Sequence, residues 1–274
     1  MIIKPNTLHA FVLAGGKSTR MGTDKGLVLH LGKPFVVRII EAIQSHSDSI
    51  TIISNTSNYN YLGYPIIEDL IKNKGPLAGI YSGLKHSSSQ HNLFVSCDMP
   101  LLNNAVINHL ILHADYSSDA SVLIHNNNIE PLCGIYNKKI TETLKSLIEK
   151  DELSVISALQ HLNVHYIDIS NSNDITPASL TNINTTTELI EIEKYLMVKI
   201  NITLFGVLAE LAGNSNLILE NINNTDELRE KLVSQFPEFG KHNLLLANNN
   251  IIIHQNTLLK NGDTVSVMPP FSGG

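Results

Sequence analysis

The chain has 274 residues, a length that suits one large domain or a medium-sized domain followed by a small one. Its formal net charge of -6 at pH 7 argues against a non-specific nucleic-acid binder, which needs a surplus of Lys and Arg. Two cysteines, Cys97 and Cys133, are too few for a disulfide scaffold or a zinc ribbon, and they fit a protein of the reducing cytoplasm. We expect no signal peptide and no membrane partner, because the apolar runs are short and interrupted.

Strands and helices alternate along the first part of the chain. The predicted strands are HAFVLAGG, SITIISN, NLFVSCDMP, ASVLI, PLCGIYN and VHYIDI, and the predicted helices are PFVVRIIEAIQS, GPLAGIYSGLKHS, NNAVINHLILHA, TETLKSLIEK and VISALQHL. This alternation predicts an α/β fold with a largely parallel, doubly wound sheet. Ligands of such sheets bind beyond the C-terminal ends of the strands, where LAGG and CDMP both fall.

The pattern then changes to a second, smaller module. TTTELIEIEKYL is predicted as a helix, with Thr185 and Glu188 spaced as a capping box. After it, the predicted strands MVKINITLFG, ILEN, LLLANN, NIIIHQ and GDTVSVMPP accompany one helix, TDELREKLVSQF, with Thr225 or Asp226 as its expected cap. Such an order is typical of an α+β module, so we predict two domains, residues 1–196 and 197–274.

The segment LAGGKSTRMGTDK, residues 13–25, is the most informative stretch of the chain. A strand that ends in glycines exposes successive backbone N–H groups, which can bind a phosphate at close approach. Arg20 and Lys25 add positive charge for a polyphosphate. The run GKS resembles the end of a P-loop, but Phe11 stands where the first P-loop glycine would be, so we exclude a P-loop. The alternative is a glycine turn with solvated charges.

The same segment fits the pattern LAGG-x-S-x-R-M-G-x-D-K and resembles the signature of the molybdenum cofactor guanylyltransferases, nucleotidyltransferases with a Rossmann-like sheet. IIED, GPLAGI, SCDMP, EPLCGIY and LTNINTTTEL follow in the family's order, so the resemblance covers about residues 8 to 196. It implies that GMP is transferred from GTP to the terminal phosphate of molybdopterin, with or without molybdenum. Pyrophosphate would leave, and Mg²⁺ would be the cofactor.

The resemblance also implies roles for individual residues. Lys25, Arg20 and Asp98 would act in catalysis, Asp98 would bind Mg²⁺, and the nucleotide and pterin would be bound by Leu13, Ala14, Gly15, Gly16, Lys25, Asn55, Asp69, Asp98, Asn182 and Asn184. The residues themselves support Asp98, because a carboxylate at the end of an apolar strand points into the ligand crevice. Each remaining alternative is structural: a helix cap for Asp98, a solvated surface position for Asp69, and loop positions for the two asparagines.

The second module resembles the small, sulfur-carrying subunit of molybdopterin synthase, a ubiquitin-like β-grasp domain, over residues 197–274. The pattern L-x-x-G-D-x-V-x-x-x-P-P-x-S-G-G fits from Leu259 to Gly274. The resemblance implies that the Gly274 carboxylate is adenylylated, converted to a thiocarboxylate and presented to the large subunit of the synthase. The partners would then be that subunit and an adenylylating and sulfurating enzyme. Ala209 departs from the family, which often has an Arg there, and this puts the mode of docking in doubt.

A tail that enters a narrow active site must lack side chains, which glycine alone allows, and the prolines at 269 and 270 end the last strand. The alternative is a frayed glycine-rich terminus. Two rival functions stay open. One is a nucleotidyltransferase for another phosphorylated substrate, such as a sugar phosphate, joined to a thiamine sulfur carrier. Asp24 argues against it, because sugar nucleotidyltransferases usually have Pro there. The other is a second module that only binds or stabilises.

Two histidine pairs also have spacings that could suit a metal, but neither has an evident third ligand. His109 and His113 lie on one predicted helix, whereas His165 begins a predicted strand and should not share a helix face with His161. We expect the two cysteines to be small buried residues.

Overall fold

The computed structural model describes residues 8–15, 24–47, 49–170, 172, 175–196 and 198–269. The chain divides into two compact units, Met1–Ile190 and Glu191–Gly274. This division falls inside the helix Thr186–Leu196. The predicted domain boundary, after Leu196, lies at the end of the same helix and stays a prediction. Within the described part of the chain, no helix is long and apolar enough to cross a membrane.

The first unit is an α/β structure built on a seven-stranded sheet. Its strands are β1 (Leu8–Leu13), β2 (Leu29–His30), β3 (Lys33–Pro34), β4 (Ser49–Ile53), β5 (Ile66–Ile67), β6 (His91–Ser96), β7 (Ala120–His125), β8 (Asn128–Asn137) and β9 (Val164–Asp168). Its helices are α1 (Phe35–Ile43), α2 (Gly75–His86), α3 (Asn104–His113), α4 (Thr141–Glu149), α5 (Val155–Leu159) and α6 (Thr186–Leu196). Strands β2 and β3 form a separate hairpin.

The sheet has the order β5-β4-β1-β6-β8-β7-β9. All neighbouring strands are parallel except β8, which runs antiparallel to both β6 and β7. β8 follows β7 through a tight turn in which Asn126 and Asn127 have positive φ angles of 47° and 64°. A two-residue turn of this kind can only reverse the chain, so β8 is antiparallel. The predicted largely parallel sheet is confirmed.

Alternate residues of the central strands face two separate layers of helices. Ala10 and Val12 of β1 belong to a core shared with α1 and α3. Phe11 and Leu13 belong to the opposite core, shared with α2 and α4. A strand buried on both faces reads as a continuous apolar run, which explains HAFVL. The helix α2 packs very close to the sheet, since a Cβ at Gly83 would come within 2.6 Å of Phe94 Cε1.

Two helices of this unit have side-chain caps that bear on the sequence predictions. Asn103 Oδ1 accepts a hydrogen bond from Val106 N at 3.2 Å and so caps α3. The alternative hypothesis that Asp98 caps this helix is therefore wrong. The capping box of α6 is present as predicted, with Glu188 N donating to Thr185 Oγ1 and Thr185 N donating to Glu188 Oε2, each at 3.1 Å.

The second unit is an α+β structure with a five-stranded mixed sheet. Its elements are β10 (Lys199–Leu204), α7 (Val207–Ala212), β11 (Asn216–Glu220), α8 (Thr225–Gln235), β12 (Leu245–Asn248), β13 (Ile251–Ile253) and β14 (Thr264–Met268). The order is β11-β10-β14-β12-β13, in which β10 and β14 are parallel and the other pairs antiparallel. Leu228 and Leu232 of α8 are fully buried in the core beneath the sheet. This is the predicted β-grasp arrangement.

Two features of the second unit differ from the sequence expectation. The helix α7 was not predicted, and it lies between Gly206 and Gly213, whose φ angles are 57° and 67°. The cap of α8 is Asn224, whose Oδ1 accepts from the backbone N of Asp226 and Glu227 at 3.1 and 3.0 Å. The expectation of a Thr225 or Asp226 cap is wrong by one or two positions. Asparagine is as good a cap as aspartate, and the helix begins one residue earlier.

Candidate functional site

A cavity of about 820 Å³ lies at the C-terminal ends of the central strands of the first unit. Leu13, Ala14 and Gly15 reach it from β1, while Asn55 and Asp69 reach it after β4 and β5. The remaining predicted residues in its lining are Lys25, Asp98 and Asn184. The structure thus brings eight of the predicted site residues to one cavity. Gly16 and Arg20 lie outside the described residues.

The backbone at the end of β1 is tied to both neighbouring strands. Ala14 N donates to Ile53 O at 2.9 Å, and Cys97 N donates to Leu13 O at 3.1 Å. Gly15 follows and is exposed, and the nearest atom to a Cβ built there would be Ile53 O at 3.9 Å. The segment is therefore held in place up to the point where it opens into the cavity.

The central polar contact of the site joins three residues that are far apart in the sequence. Lys25 Nζ donates to Asp98 Oδ2 at 3.1 Å and to Asn184 Oδ1 at 2.7 Å. The Lys25 and Asp98 side chains are only 17% and 18% exposed, so their attraction is less screened than that of a surface pair. The ammonium group is held at the cavity wall, where a substrate phosphate could displace these contacts.

Asp98 has one oxygen without a partner. Its Oδ1 is buried and accepts no hydrogen bond from the described residues. An unsatisfied buried oxygen costs about 1–3 kcal/mol, which a bound cation would recover. Within the described residues, no group of three or more His, Cys, Asp and Glu side chains could hold a metal ion. A cation at Asp98 would therefore need ligands other than such a side-chain cluster, and substrate phosphates or water would serve.

Asn55 and Asp69 form a second polar group on the cavity wall. Asn55 Nδ2 donates to Asp69 Oδ2 at 2.6 Å, and Asn55 Oδ1 accepts from Asp69 N at 3.2 Å and from Lys72 Nζ at 2.7 Å. All functional atoms of the Asn55 amide are thus engaged. Asp69 Oδ1 lies on the side of Gly79, 3.6 Å from a Cβ built there. The asparagine orients the carboxylate, which can accept hydrogen bonds from a ligand.

The amino end of α2 also faces the cavity, through Gly75, Pro76 and Gly79. The first turn of this helix has no acidic residue of its own, and the Asp69 carboxylate lies beside it, with Oδ1 3.6 Å from a Cβ built at Gly79. A Cβ at Gly79 would lie 2.9 Å from Leu13 Cδ2, so a larger residue there would require the Leu13 side chain to shift. The GPLAGI motif could have revealed these glycines as cavity residues, but they were not among the predicted site residues.

The two predicted pterin-binding asparagines lie in different surroundings. Asn184 contacts Lys25, whereas Asn182 Nδ2 donates to Glu130 Oε2 at 3.2 Å. Burial raises the pKa of Glu130, the hydrogen bond from Asn182 lowers it, and the nearby Asp98 charge raises it. Ile183 N, between the asparagines, donates to Asp98 O at 2.8 Å. Glu130 was not predicted as a site residue, because the EPLCGIY motif does not indicate its partner.

The predicted histidine pairs and the two cysteines belong to no metal-binding cluster within the part of the chain that the structure describes. The rings of His109 and His113 stack with centroids 4.1 Å apart, and burial followed by the His113 charge lowers the pKa of His109. His161 lies in the turn after α5 and His165 in β9, so the two share no helix face, as expected. Cys97 and Cys133 are buried and unbridged, as predicted, and burial raises the pKa of both thiols, to about 12 for Cys133.

Residues 10–164 match the profile of a family described as the MobA-like NTP transferase domain. The chain belongs to this family. A relative from Flavobacterium johnsoniae, named probable molybdenum cofactor guanylyltransferase, is 42% identical over 183 residues, which cover 67% of this chain and 95% of the relative. A relative of the same name from Bacillus cytotoxicus is 33% identical over 192 residues, covering 68% of this chain and 96% of the relative.

A solved structure shares the fold of this MobA-like domain. It is molybdopterin-guanine dinucleotide biosynthesis protein A from Archaeoglobus fulgidus, with a TM-score of 0.60 and 24% identity, covering 69% of this chain and 98% of that one. The second module has a match of its own, since residues 202–274 fit the profile of the ThiS family. The protein therefore combines a MobA-like NTP transferase domain with a ThiS-family β-grasp domain.

The predicted sulfur-carrying residue, Gly274, lies outside the described residues. The structure describes the base of that tail. Phe205 N donates to Val267 O at 3.0 Å, and a Cβ at Gly206 would lie 3.5 Å from Pro269 Cγ. Ala209, where the family often has an Arg, lies in α7 and packs against the core of the second unit.

Proposed function

We propose that the protein transfers GMP from GTP to the phosphate of molybdopterin, with or without bound molybdenum, and also carries sulfur as a thiocarboxylate at Gly274. The first activity would belong to residues 1–196 and the second to residues 197–274. The main structural support for guanylyl transfer is the contact of Lys25 with Asp98 and Asn184 on the cavity wall. The cavity has a volume of about 820 Å³, which suits a nucleotide. The names of the relatives support the same reaction.

In this reaction an oxygen of the pterin phosphate attacks the α-phosphorus of GTP. The bond from that phosphorus to the bridging oxygen breaks, and pyrophosphate leaves with the electron pair. Such a transfer needs positioning and charge neutralisation more than a covalent nucleophile. Lys25 would move from Asp98 to the phosphates, and the backbone N–H groups around Gly15 would bind them. Arg20 and Gly16 are proposed to contribute to the same phosphate site.

Magnesium would supply charge neutralisation on the triphosphate and the departing pyrophosphate. Asp98 is the residue that would hold it, since its Oδ1 is a buried oxygen without a partner, and oxygen is the ligand that Mg²⁺ prefers. Lys25 currently neutralises the other oxygen of this carboxylate. The chain's own part is to hold the Asp98 carboxylate in place just after β6.

The guanine base would be bound near Asp69 and the pterin near Asn184, which both line the cavity, whereas Asn182 is not among the lining residues. Asp69, oriented by Asn55, can accept hydrogen bonds from the N1–H and 2-amino groups of guanine, which adenine lacks. Asn184 and Asn182 are proposed to hold the pterin, with Asn184 linking that substrate to Lys25.

The transfer activity is tested by incubating the full chain with Mg²⁺, GTP and molybdopterin and identifying the product by chromatography and mass spectrometry. We expect a guanine dinucleotide and pyrophosphate in equal amounts. Parallel reactions with ATP, CTP and UTP, and with sugar phosphates in place of molybdopterin, should give little product. Efficient turnover of a sugar phosphate instead would overturn the proposal.

The sulfur-carrier activity is proposed from the ThiS-family match, which extends to residue 274, together with its fusion to a MobA-like domain. Protein expressed to end at Gly274 would be incubated with ATP, an adenylylating enzyme, a persulfide sulfur donor and a thiol reductant. The persulfide displaces AMP from the acyl adenylate to give an acyl disulfide, which the thiol cleaves to the thiocarboxylate. The mass of the C-terminal peptide is then measured. We expect one carboxylate oxygen to be replaced by sulfur, and transfer to a pterin precursor when the synthase large subunit is added.

A matched variant with one residue appended after Gly274 should lose sulfur loading and keep guanylyl transfer. If the unextended protein keeps a free carboxylate while a control carrier is loaded normally, the sulfur-carrier proposal is wrong. The second domain would then be only a binding or stabilising module.

A further inference from the structure

A buried tyrosine lies beneath the turn that carries Lys25. Tyr59 is fully buried, and its hydroxyl donates to Asp24 Oδ1. The hydroxyl of Thr56 donates to the other oxygen, Asp24 Oδ2, at 3.4 Å. Both donors come from the segment after β4, more than thirty positions away from Asp24 in the sequence. These two long-range hydrogen bonds, one to each oxygen, fix the orientation of the Asp24 carboxylate.

Asp24 in turn fixes the first turn after the glycine-rich loop. Its Oδ1 accepts from Gly26 N at 3.3 Å, and it caps a short 3-10 helix over Lys25–Leu27. Leu27 N also donates to Asp24 O at 3.0 Å. Lys25 therefore lies between Asp24, which accepts the hydrogen bond, and Gly26, which donates it.

The contact between this turn and Tyr59 is unusually close. A Cβ at Gly26 would lie 2.5 Å from the Tyr59 hydroxyl oxygen and 3.0 Å from Cε1, so only glycine fits above the ring. The ring fills the space under the turn, and its hydroxyl holds the cap. The backbone at Lys25 thus has little freedom to move towards the core.

We propose that Tyr59 and Thr56 are positioning residues, which act through Asp24 to aim the Lys25 ammonium at Asp98, Asn184 and the substrate phosphates. This inference rests on the proposed function and deepens it. It also gives a physical reason for an acidic residue at position 24, because proline could accept neither hydroxyl's hydrogen bond.

The direction of the effect follows from what Asp24 would do without its donors. Burial, followed by the charges and hydrogen bond around it, raises the pKa of Tyr59 far above its usual range, so the phenol stays a donor. Once the phenol is removed, Asp24 keeps only the longer hydrogen bonds from Gly26 N at 3.3 Å and Thr56 Oγ1 at 3.4 Å. The carboxylate is then held less firmly and can turn towards its neighbour Lys25 and pair with it. That pairing would compete with Asp98 and with the substrate phosphates for the same ammonium group.

The test is a double-mutant cycle between Tyr59 and Lys25 in the full chain. Tyr59→Phe keeps the ring under Gly26 and removes only the hydroxyl, and Lys25→Met removes the ammonium. A shift of about 1 Å in a catalytic group can cost about 100-fold in rate, so we expect Tyr59→Phe to lower kcat/KM at least tenfold. In the Lys25→Met background the same change should have almost no further effect, because its target is gone.

Two further variants separate positioning from folding. Thr56→Val should show a smaller loss with the same dependence on Lys25, and it leaves the core intact. Tyr116→Phe is the matched control, since its hydroxyl donates to Ile111 O at 3.0 Å away from the cavity, and it should keep wild-type activity. If Tyr59→Phe lowers kcat/KM by the same factor in the presence and in the absence of Lys25, the inference is wrong and Tyr59 has a purely structural role.

Calorimetry can measure the GTP affinity of the four proteins of the same double-mutant cycle. This second readout distinguishes failure of the inference from failure of the proposed function. A protein that binds GTP but transfers no GMP to molybdopterin would refute the proposed reaction, while the cycle on affinity would still test Tyr59. Wild-type affinity for GTP in Tyr59→Phe, together with wild-type turnover, would refute the inference alone. Absence of any triphosphate binding by the unaltered protein would refute both.

Discussion

In the first unit the candidate site is assembled from side chains far apart in the sequence, whereas in the second the proposed reactive group is carried at the end of one strand. Lys25 contacts Asp98 and Asn184 across 73 and 159 sequence positions. β14 instead leads directly through Pro269 to the terminal segment. The first unit must hold many groups in mutual register, while the second needs a stable base for its tail.

This difference separates two kinds of substitution. In the first unit a change in one polar side chain should remove activity while the two cores on either side of the sheet stay folded. In the second, activity should survive changes on the surface and depend on whether the small core beneath the β-grasp sheet remains folded. The four predictions below test that separation, from the largest expected effect to the smallest.

Asp98→Asn should lower guanylyl transfer by about a thousandfold, because it removes the charge that pairs with Lys25 and that would bind Mg²⁺. The asparagine has nearly the same size, so the unfolding transition should hardly move. Sulfur loading at the C-terminus, measured on the same preparation, should be unchanged. Loss of both activities together would mean that the two units do not act separately.

Leu246→Ala should destabilise the second unit by about 3 kcal/mol, since Leu246 is fully buried in its core and the change leaves a cavity. Hydrogen exchange of the amides in β10 and β14 would measure the loss. Guanylyl transfer should stay at the wild-type rate. A matched substitution at exposed Ile218, Ile218→Ala, should leave both stability and transfer almost unchanged.

The stability of the first unit should fall in acid because of His9. Burial, followed by the charge of His86, lowers the pKa of His9 from 6.5 to about 4. The unfolded chain therefore binds a proton between these two pH values when the folded chain does not, so stability is present above pH 6.5 and is lost as the pH falls. We expect a decrease on the order of 2–3 kcal/mol by pH 4.

Urea unfolding between pH 7 and pH 4 would measure this decrease. His9 Nε2 lies 2.8 Å from Thr51 Oγ1. His9→Gln can keep a hydrogen bond to this hydroxyl and should flatten the profile. A profile that keeps its slope in His9→Gln would assign the acid sensitivity to other groups.

We expect the smallest effect on stability from substituting one helix cap in each unit. Asn224→Ala and Asn103→Ala should each cost about 1 kcal/mol of stability, and the former should cost more, because Asn224 accepts from two backbone N–H groups and Asn103 from one. Each loss should appear only in the amide exchange of its own unit. Aspartate at either position should restore most of the stability.

Much of the architecture could be predicted from the sequence, because buried strands and amphipathic helices have characteristic periods. The strands through Val12, Ile52 and Val95 and the capping box at Thr185 are examples. The cap at Asn224 was missed because Asn, Thr and Asp follow one another and all are good caps. The helix α7 was missed because six residues give too little periodicity.

The candidate site was predicted chiefly through motifs rather than through contacts. Gly15, Asp69 and Asp98, which line the cavity, were predicted as site residues because each follows a strand or matches the family's pattern. Tyr59 and Thr56 could not be found in this way, since nothing in NTSNYNYL indicates that its side chains lie under a turn at Asp24. Glu130 was also missed, because its partner Asn182 is 52 positions away. Such pairings depend on the folded chain, which sequence periodicity does not encode.

The helix α6 has a consequence for dividing the protein into separately expressed parts. Its first turn is fixed by the Thr185–Glu188 box, directly after the Asn184 side chain that contacts Lys25. The division between the units, after Ile190, falls in the middle of this helix. A gene fragment cut there would leave a stub of about one turn, too short to persist in water. A fragment that extends to Leu196 keeps the whole helix, and with it the anchorage of the asparagine.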